Sequence, residues 1–471
     1  MAAFSLSAFK IRLISSILKE VFSKNTPLDR AYADHFRKIK LESDEQALII
    51  RLVNDLIRRL NYYTYIAGYK KVKDMKNHIN ALICALHVEH KWPVPQNLPD
   101  TEKFSEKAAK IRKAEAQEDE MLKYGIPHWL DHLCRGELGE VWNHERKFIS
   151  SEPNRYIRIN TLRATVAEAK AALISENVKF AEVEGMPEAL VIIGNAPIFR
   201  TKAFKDGLFE QQDLGSQQIA PFVKAAPGRR VIDACAGAGG KTLHLAALMK
   251  GRGTLIAMDD KEWKLEALKE RARRDGAYNI ETRHIDSSKV IKRLHNKADC
   301  VLLDVPCSGL GVLKRNFDTK WQDRTAEINE LKQIQAQIID SYSQMTIPGG
   351  ILVYSTCSIL PSENEKQVAA FLEKHPDFVL EEERHILPSA GGDGFYMARM
   401  KRLTAKELEA KDQNSVEATP VEAETEGAAL ASTANDTPVA NEGSLEALDS
   451  SSASLDDAQA CPQADETSKE D

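Results

Sequence analysis

The chain has 471 residues, 43% hydrophobic and 28% charged, which fits a globular protein of two or three domains and excludes a fibrous or wholly disordered one. No apolar run approaches the ~20 residues a helix needs to cross a bilayer, and no secretory signal opens the sequence, so a cytoplasmic protein without a membrane role is expected. The formal charge of −6 hides a division: residues 412–471 hold fifteen Asp and Glu against one Lys, which leaves +8 on residues 1–411 and suggests a polyanionic partner.

Residues 4–95 read as helical. Leu13, Ile14, Ile17, Leu18, Val21 and Phe22 recur at helical spacing, as do Ala47, Ile50, Leu52, Leu56, Ile57 and Leu60, and then Ile79, Ile83, Leu86 and His87. Asn25-Thr26-Pro27 is turn chemistry between the first two helices, and Pro is otherwise scarce until Trp92-Pro93-Val94-Pro95. An all-α bundle is the expectation for residues 1–95. A linker and helical subdomain is expected over 96–150, with a charged helix over 102–124 and shorter ones over 128–134 and 137–148.

The period changes at Tyr156. Tyr156-Ile157-Arg158-Ile159-Asn160 alternates like a strand, Thr165 is placed to cap a helix to Glu176, and 180–183 and 189–193 read as strands. This predicts a small α+β module over 151–215, carrying Arg155, Arg158, Arg163 and Lys179. From 216 to 402 strands alternate with helices, the signature of a Rossmann-like α/β unit with a mostly parallel sheet. Strands are expected at 230–235, 254–258, 281–285, 299–304, 350–356 and 394–400, and helices at 241–250, 261–275, 325–345 and 363–374. After Asp412 there is no aromatic residue, so the acidic tail, 403–471, is expected to be disordered.

The strand Val231-Ile232-Asp233-Ala234-Cys235 runs into Ala236-Gly237-Ala238-Gly239-Gly240, and Lys241-Thr242 opens a helix. Glycines let a backbone approach a ligand, and the helix start offers free N–H groups. Two chemistries compete. Gly240-Lys241-Thr242 could end a nucleoside-triphosphate loop, but that motif needs glycine where Cys235 stands. The alternative is S-adenosylmethionine (SAM) or a dinucleotide, with an acid at the end of the next strand for the ribose hydroxyls; Asp259 lies about twenty residues past the loop, as that requires. Asp286, after the following strand, is a further candidate at the same edge, or else a helix N-cap.

The seven cysteines form no CxxC pair and no zinc-type cluster with histidine, so neither a metal nor a disulfide framework is expected. A solitary cysteine is usually a small buried hydrophobe. Cys84, Cys134, Cys300 and Cys461 are read that way, and Cys235 is ambiguous. Cys307, in Asp304-Val305-Pro306-Cys307-Ser308-Gly309, and Cys357, in Tyr354-Ser355-Thr356-Cys357-Ser358, differ: each follows an apolar strand and sits in a polar loop at the edge predicted to hold the cofactor. Thiols there suit methylation of C5 of cytosine, a poor nucleophile. Attack of a thiolate on C6 makes the ring an enamine whose C5 can take the methyl; loss of the C5 proton and of the thiol completes the step. Asp304 is placed to hold the base edge and support protonation at N3.

Residues 125–400 resemble the Sun (RsmB-like) RNA cytosine-C5 methyltransferases. The resemblance rests on Asp233 to Thr242, the two cysteine motifs, Glu363-Asn364-Glu365, Gly207 to Asp213, Gly125 to Leu130 and Arg158 to Leu162. It implies a class I SAM-dependent methyltransferase in which Cys357 is the nucleophile and Cys307 assists release. Asp304 and Pro306 would hold the cytosine. Cys235, Ala236, Gly237, Ala238, Gly239, Gly240 and Lys241, with Asp259, Asp286 and Asp304, would bind SAM. Arg158 and Asn160 would contact the RNA. The chain departs from the family's usual Ala-Pro at Gly237-Ala238. Residues 1–95 resemble, more loosely, the NusB-like RNA-binding domain of ribosomal-RNA members, which implies small-subunit ribosomal RNA as partner; a monomer is expected. The competing expectation is a non-catalytic RNA-binding assembly factor that keeps the fold.

Overall fold

The computed structural model describes residues 6–24 and 26–417. The expected acidic tail lies outside the described residues from 418 onward.

The N-terminal layer is helical: Ala8–Lys24, Leu28–Lys38, Ser43–Arg58, Leu60–Ala67 and Ile79–Glu89 pack around a common core that includes Ile14, Ile17, Leu18, Val53, Leu56 and Leu82. The helix Glu106–Glu118 belongs to the same core, to which it contributes Ala109 and Ala116. The bundle therefore extends past residue 95, because the linker folds back over it. The charged segment is two helices rather than one: Asp119 leaves helical geometry and caps Glu120–Lys123 by accepting the N–H groups of Met121 and Leu122. Among the described residues no helix is long and apolar enough to cross a membrane.

Next comes a four-stranded antiparallel sheet, β1 (Arg155–Ile159), β2 (Phe180–Val183), β3 (Met186–Ile192) and β4 (Phe209–Gln211), in the order β2-β3-β1-β4. The helix Val166–Ser175 packs on it and begins with a capping box between Thr165 and Glu168, as the threonine suggested.

The remaining strands are β5 (Arg230–Asp233), β6 (Thr254–Asp259), β7 (Ile280–His284), β8 (Ala298–Asp304), β9 (Thr346–Thr356), β10 (Phe378–Ile386) and β11 (Phe395–Arg402). They form one sheet in the order β10-β11-β9-β8-β5-β6-β7. β5 to β9 are parallel; β10 and β11 run antiparallel at one edge. Alternate residues face opposite layers: Val231, Leu255, Leu302 and Val353 pack toward the helices Gly240–Leu248 and Glu262–Asp275, whereas Ile232, Ile256, Val301 and Leu352 pack toward Thr325–Tyr342 and Glu365–Lys374. The chain leaves β5 toward β6 and β7 and later returns to build β8 and β9 on its other side. The crevice at the carboxyl ends of β5 and β8 is thus a topological switch point, where ligands bind in such sheets.

β10 was not expected from the sequence. Glu381, Glu382, Glu383, Arg384 and His385 follow one another and show no apolar alternation. Long-range pairing holds the strand instead: Arg399 on β11 bonds Glu381 and Glu382, and Tyr396 Oη donates to Glu383 at 2.8 Å. The expected disorder of 403–471 also needs correction at its start, since Ala405–Glu417 is a helix. Thr404 caps it: its N–H and hydroxyl donate to Glu407, which also takes Lys401.

Candidate active site

β5 ends at Asp233, which is fully buried and accepts the hydroxyl of Thr242 at 2.7 Å, tying the strand end to the helix start across the loop. Burial, only partly offset by that hydrogen bond, pushes the Asp233 carboxyl up to about 7. Ala236 N–H donates to Met258 O at 2.8 Å and Gly237 N–H to Asp259 Oδ2 at 2.9 Å, so the end of β6 holds the loop open. Gly239 has φ +93°, and a Cβ there would lie 2.1 Å from Leu268 Cδ1, so only glycine fits. At Gly237 and Gly240 a Cβ would meet nothing within 4 Å among the described residues. This open cradle beside a carboxylate fits a nucleoside cofactor. The surrounding acids, Asp233, Asp259, Asp260 and Asp304, suit a cationic cofactor and oppose a triphosphate.

Lys241 is engaged rather than free for a phosphate. Its Nζ lies 2.6 Å from Asp304 Oδ2 at the end of β8 and 5.3 Å from the ring centre of Phe395. Burial works against its charge, but the Asp304 carboxylate outweighs that and holds the ammonium above its ordinary pKa. Ser355 Oγ donates to the other Asp304 oxygen at 2.9 Å. The carboxylate of Asp304 is thereby fixed between two strands, which pair Asp304 with Ser355 in register.

The cysteine loops leave β8 and β9 side by side. Cys307 Sγ and Cys357 Sγ are 3.1 Å apart, and the Cys357 N–H points at Cys307 Sγ at 3.2 Å. The hydrogen bond to Cys357, then burial, then the charges of Cys357 and Glu363 push the Cys307 thiol well above its ordinary pKa. Ser308 and Ser358, each following its cysteine, meet at 3.1 Å between their hydroxyls. Gly311 N–H donates to Cys357 O at 2.9 Å, and Arg324 donates to Ser308 O at 2.8 Å. Burial and then the neighbouring acids push the Cys235 thiol up as well.

The other residues named from the sequence fall into two groups. Pro306 is exposed beside Cys307, and Ala238 is exposed on the cofactor loop. Asp286 is exposed just past the end of β7, next in the sheet to β6, and accepts Ser287 Oγ at 2.9 Å; Ser287, not Asp286, is the N-cap residue of the helix Ser288–Lys292. Arg158 and Asn160, in contrast, are interior and cannot reach an RNA backbone from where they stand. Arg158 is 1% exposed, donates to Gln212 at 2.7 Å, and is pushed down to about 10 by burial. Asn160 donates to Gly207 O at 2.8 Å and Asp275 O at 2.9 Å, fastening the α+β module to the helix Glu262–Asp275. Arg163 does the same with the carbonyls of Arg273 and Arg274. Alternating strand residues read as surface cations because nothing local shows that a second domain covers them.

Sequence reasoning missed Arg271 as well. It donates to Ala238 O at 2.6 Å and to the buried Glu210 of β4 at 2.8 Å, joining the cofactor loop to the α+β module. It also missed a cleft of about 660 Å³ between the helical bundle and residues 318–327, lined by Lys73, Lys76, Trp321 and Arg324 among others.

A family model described as 16S rRNA methyltransferase RsmB/F matches residues 221–401. The ribosomal RNA small subunit methyltransferase B of Vibrio cholerae is 31% identical over 304 residues, covering 61% of this chain and 68% of the relative. That of Salmonella newport is 30% identical over 283 residues, covering 58% and 66%. The chain spans 58% of the length of a relative from Synechocystis, so it matches roughly two thirds of such proteins and less of some. Among solved structures, PH0851 superposes with a TM-score of 0.72 at 25% identity, covering 85% of this chain and all of that one. NSun6 from Pyrococcus horikoshii, solved with SFG, superposes at 0.54 and 23% identity over 59% of this chain and 99% of that one, a likeness of fold. With the cradle at β5 and β6, the paired cysteines at β8 and β9 and these matches together, the chain belongs to the RsmB/F family of 16S rRNA methyltransferases.

Proposed function

We propose that the chain methylates C5 of a cytosine in small-subunit ribosomal RNA, with SAM as methyl donor and Cys357 as a covalent nucleophile. SAM, when bound, supplies the electrophilic methyl group. Residues 235–241, with Asp259, Asp286 and Asp304, would hold it. The methyltransferase unit is 216–402, the α+β module 151–215, and the helices before them the RNA-facing part. The solved neighbour that carries SFG on the same fold supports the choice of cofactor class.

Support for the covalent route comes above all from the meeting of two thiols at the ends of adjacent strands, beside a carboxylate clamped by Lys241. The thiolate of Cys357 adds to C6, forming a C–S bond while the C5–C6 π electrons move toward C5. Asp304 and Pro306 hold the base edge, and the Lys241–Asp304 pair keeps a proton within reach of N3 at that edge. After C5 takes the methyl it gives up its proton to solvent; the C–S electrons return to sulfur as the double bond re-forms. Cys307, protonated, donates its S–H to the departing Cys357 sulfur and lowers the cost of that departure. The target base must be unstacked to reach the thiol, at about a few kcal/mol. Lys73 and Lys76, exposed where they line one cleft beside Trp321, would hold RNA phosphates in place of Arg158 and Asn160.

The test is transfer of label from SAM to unmodified small-subunit ribosomal RNA, with the product digested to nucleosides. Label in 5-methylcytosine is the expected result. SAM and RNA binding without transfer to any small-subunit ribosomal RNA would overturn the proposal.

A further inference from the structure

Neither cysteine loop carries enough local structure to fix its own thiol. Past Asp304 and past Thr356 the chain leaves the sheet, and a 3.1 Å approach of two sulfurs needs both loops held in one frame. A single side chain reaches both. Glu363 is fully buried in the stretch before the helix Glu365–Lys374. Its Oε1 accepts the N–H of Ser308 at 2.8 Å and Nε2 of Gln335 at 2.9 Å; its Oε2 accepts the hydroxyls of both Ser308 and Ser358, each at 2.5 Å. The two loops are near copies here: Cys307-Ser308-Gly309-Leu310 and Cys357-Ser358-Ile359-Leu360. In each, the serine oxygen also accepts the leucine N–H two residues on, at 3.3 and 3.1 Å. The serines therefore meet on one side of the loops, over Glu363, while the cysteines meet on the other.

We propose that Glu363 is a positioning residue: by accepting hydrogen bonds from the residues that follow both cysteines, it sets the distance between the two thiols. Only a carboxylate suits the place. Four donors converge on it, and an ionised carboxylate offers two acceptor oxygens and no donor. The neutral amide of a glutamine would turn an NH₂ group toward donors. Either serine hydroxyl could rotate to accept from it, but that hydroxyl would then give up its own donation to residue 363. Gln335 closes the frame from below by donating to the Pro306 carbonyl as well, at 3.0 Å. Tyr354 Oη anchors the backbone carbonyl of Glu363 at 2.7 Å, so the carboxylate is itself held from β9. Glu363 touches neither thiol, and its effect on methyl transfer rests on the covalent reading above; its effect on the thiol distance does not.

The experiment compares wild type, Glu363→Gln and Ser358→Ala as full chains in two measurements. In the first, diamide oxidises the Cys307–Cys357 pair, taking two electrons and two protons from the thiols as the S–S bond forms, and the rate of that closure is read by peptide mass spectrometry. In the second, methyl transfer is measured with SAM and RNA varied in turn. Glu363→Gln is expected to close the disulfide at least tenfold slower than wild type and to lose at least thirtyfold in kcat, with KM for both substrates within twofold. Ser358→Ala, which removes one of the four donors, is expected to fall between, and it carries the test if Glu363→Gln does not fold. Closure at the wild-type rate in a folded variant would overturn the proposal. If wild type transfers no methyl group, the functional reading fails while the disulfide measurement still decides the role of Glu363.

Discussion

Lys241 and Asp304 face each other at 2.6 Å across the switch point of the sheet, one from the first turn of the helix after β5 and the other from the end of β8. The pair joins the cofactor loop to the loop that carries Cys307. Beneath it lies Asp233, buried, with a carboxyl whose pKa is pushed up to about 7 from an ordinary 3.8. The folded chain thus holds a proton at Asp233 more tightly than the unfolded chain does. The stability this group contributes is fully present below pH 3.8 and is lost as pH rises toward and through 7. Asp233→Asn removes the titration. Between pH 5 and 8 the stability of the variant relative to wild type should therefore rise, by roughly 2–3 kcal/mol. Thermal unfolding of both proteins without cofactor at the two pH values measures this; a constant difference would show that Asp233 stays ionised.

The bond from Arg271 to Ala238 O makes the α+β module a support of the cofactor loop. Arg271→Ala frees that carbonyl and unpairs Glu210 from it, although Arg274 still holds Glu210. Weakening of SAM binding by about five- to tenfold is expected, equivalent to about 1–1.4 kcal/mol. Titration calorimetry with SAM measures it, and an unchanged Kd would mean that the loop keeps its shape without Arg271.

Asn160 separates a structural from an RNA-contacting role. Asn160→Ala leaves two buried carbonyls without a donor, which costs about 2–3 kcal/mol. A lowered Tm with unchanged RNA affinity of the folded protein is the expected pattern. Reduced RNA affinity at unchanged Tm would restore the reading made from its sequence motif.

Gly311 lies where two backbones meet. A Cβ there would stand 2.2 Å from Gly394 O and 2.8 Å from Cys357 O, and neither is a flexible side chain that could move aside. Gly311→Ala should push the Cys357 loop out of place, lowering Tm and reducing methyl transfer more than tenfold. Wild-type activity in Gly311→Ala would show that this loop adjusts freely.

Much of this was legible in the chain itself. Apolar runs ending in Asp233, Asp259, Asp304 and Thr356 gave the strands and the edge they share, because a buried parallel strand needs little beyond local apolarity to be seen. The cysteines stood out because their loops were polar. What could not be read were relations across distance. Glu363 and Ser308 are 55 residues apart, and Arg271 and Ala238 33. Arg158 alternates along β1 like a surface residue, yet the methyltransferase unit covers it, and the run Glu381 to His385 in β10 shows no apolar alternation and is held by its pairing with β11.

Cys357, not Cys307, is the thiol expected to bond the RNA. Wild type, Cys357→Ala and Cys307→Ala are each incubated with SAM and unmodified small-subunit ribosomal RNA, and denaturation-resistant protein–RNA adducts are mapped by peptide mass spectrometry. The prediction is turnover in wild type, neither product nor adduct in Cys357→Ala, and an adduct through Cys357 that accumulates in Cys307→Ala. An adduct through Cys307 in Cys357→Ala, or undiminished methylation by that variant, would contradict it.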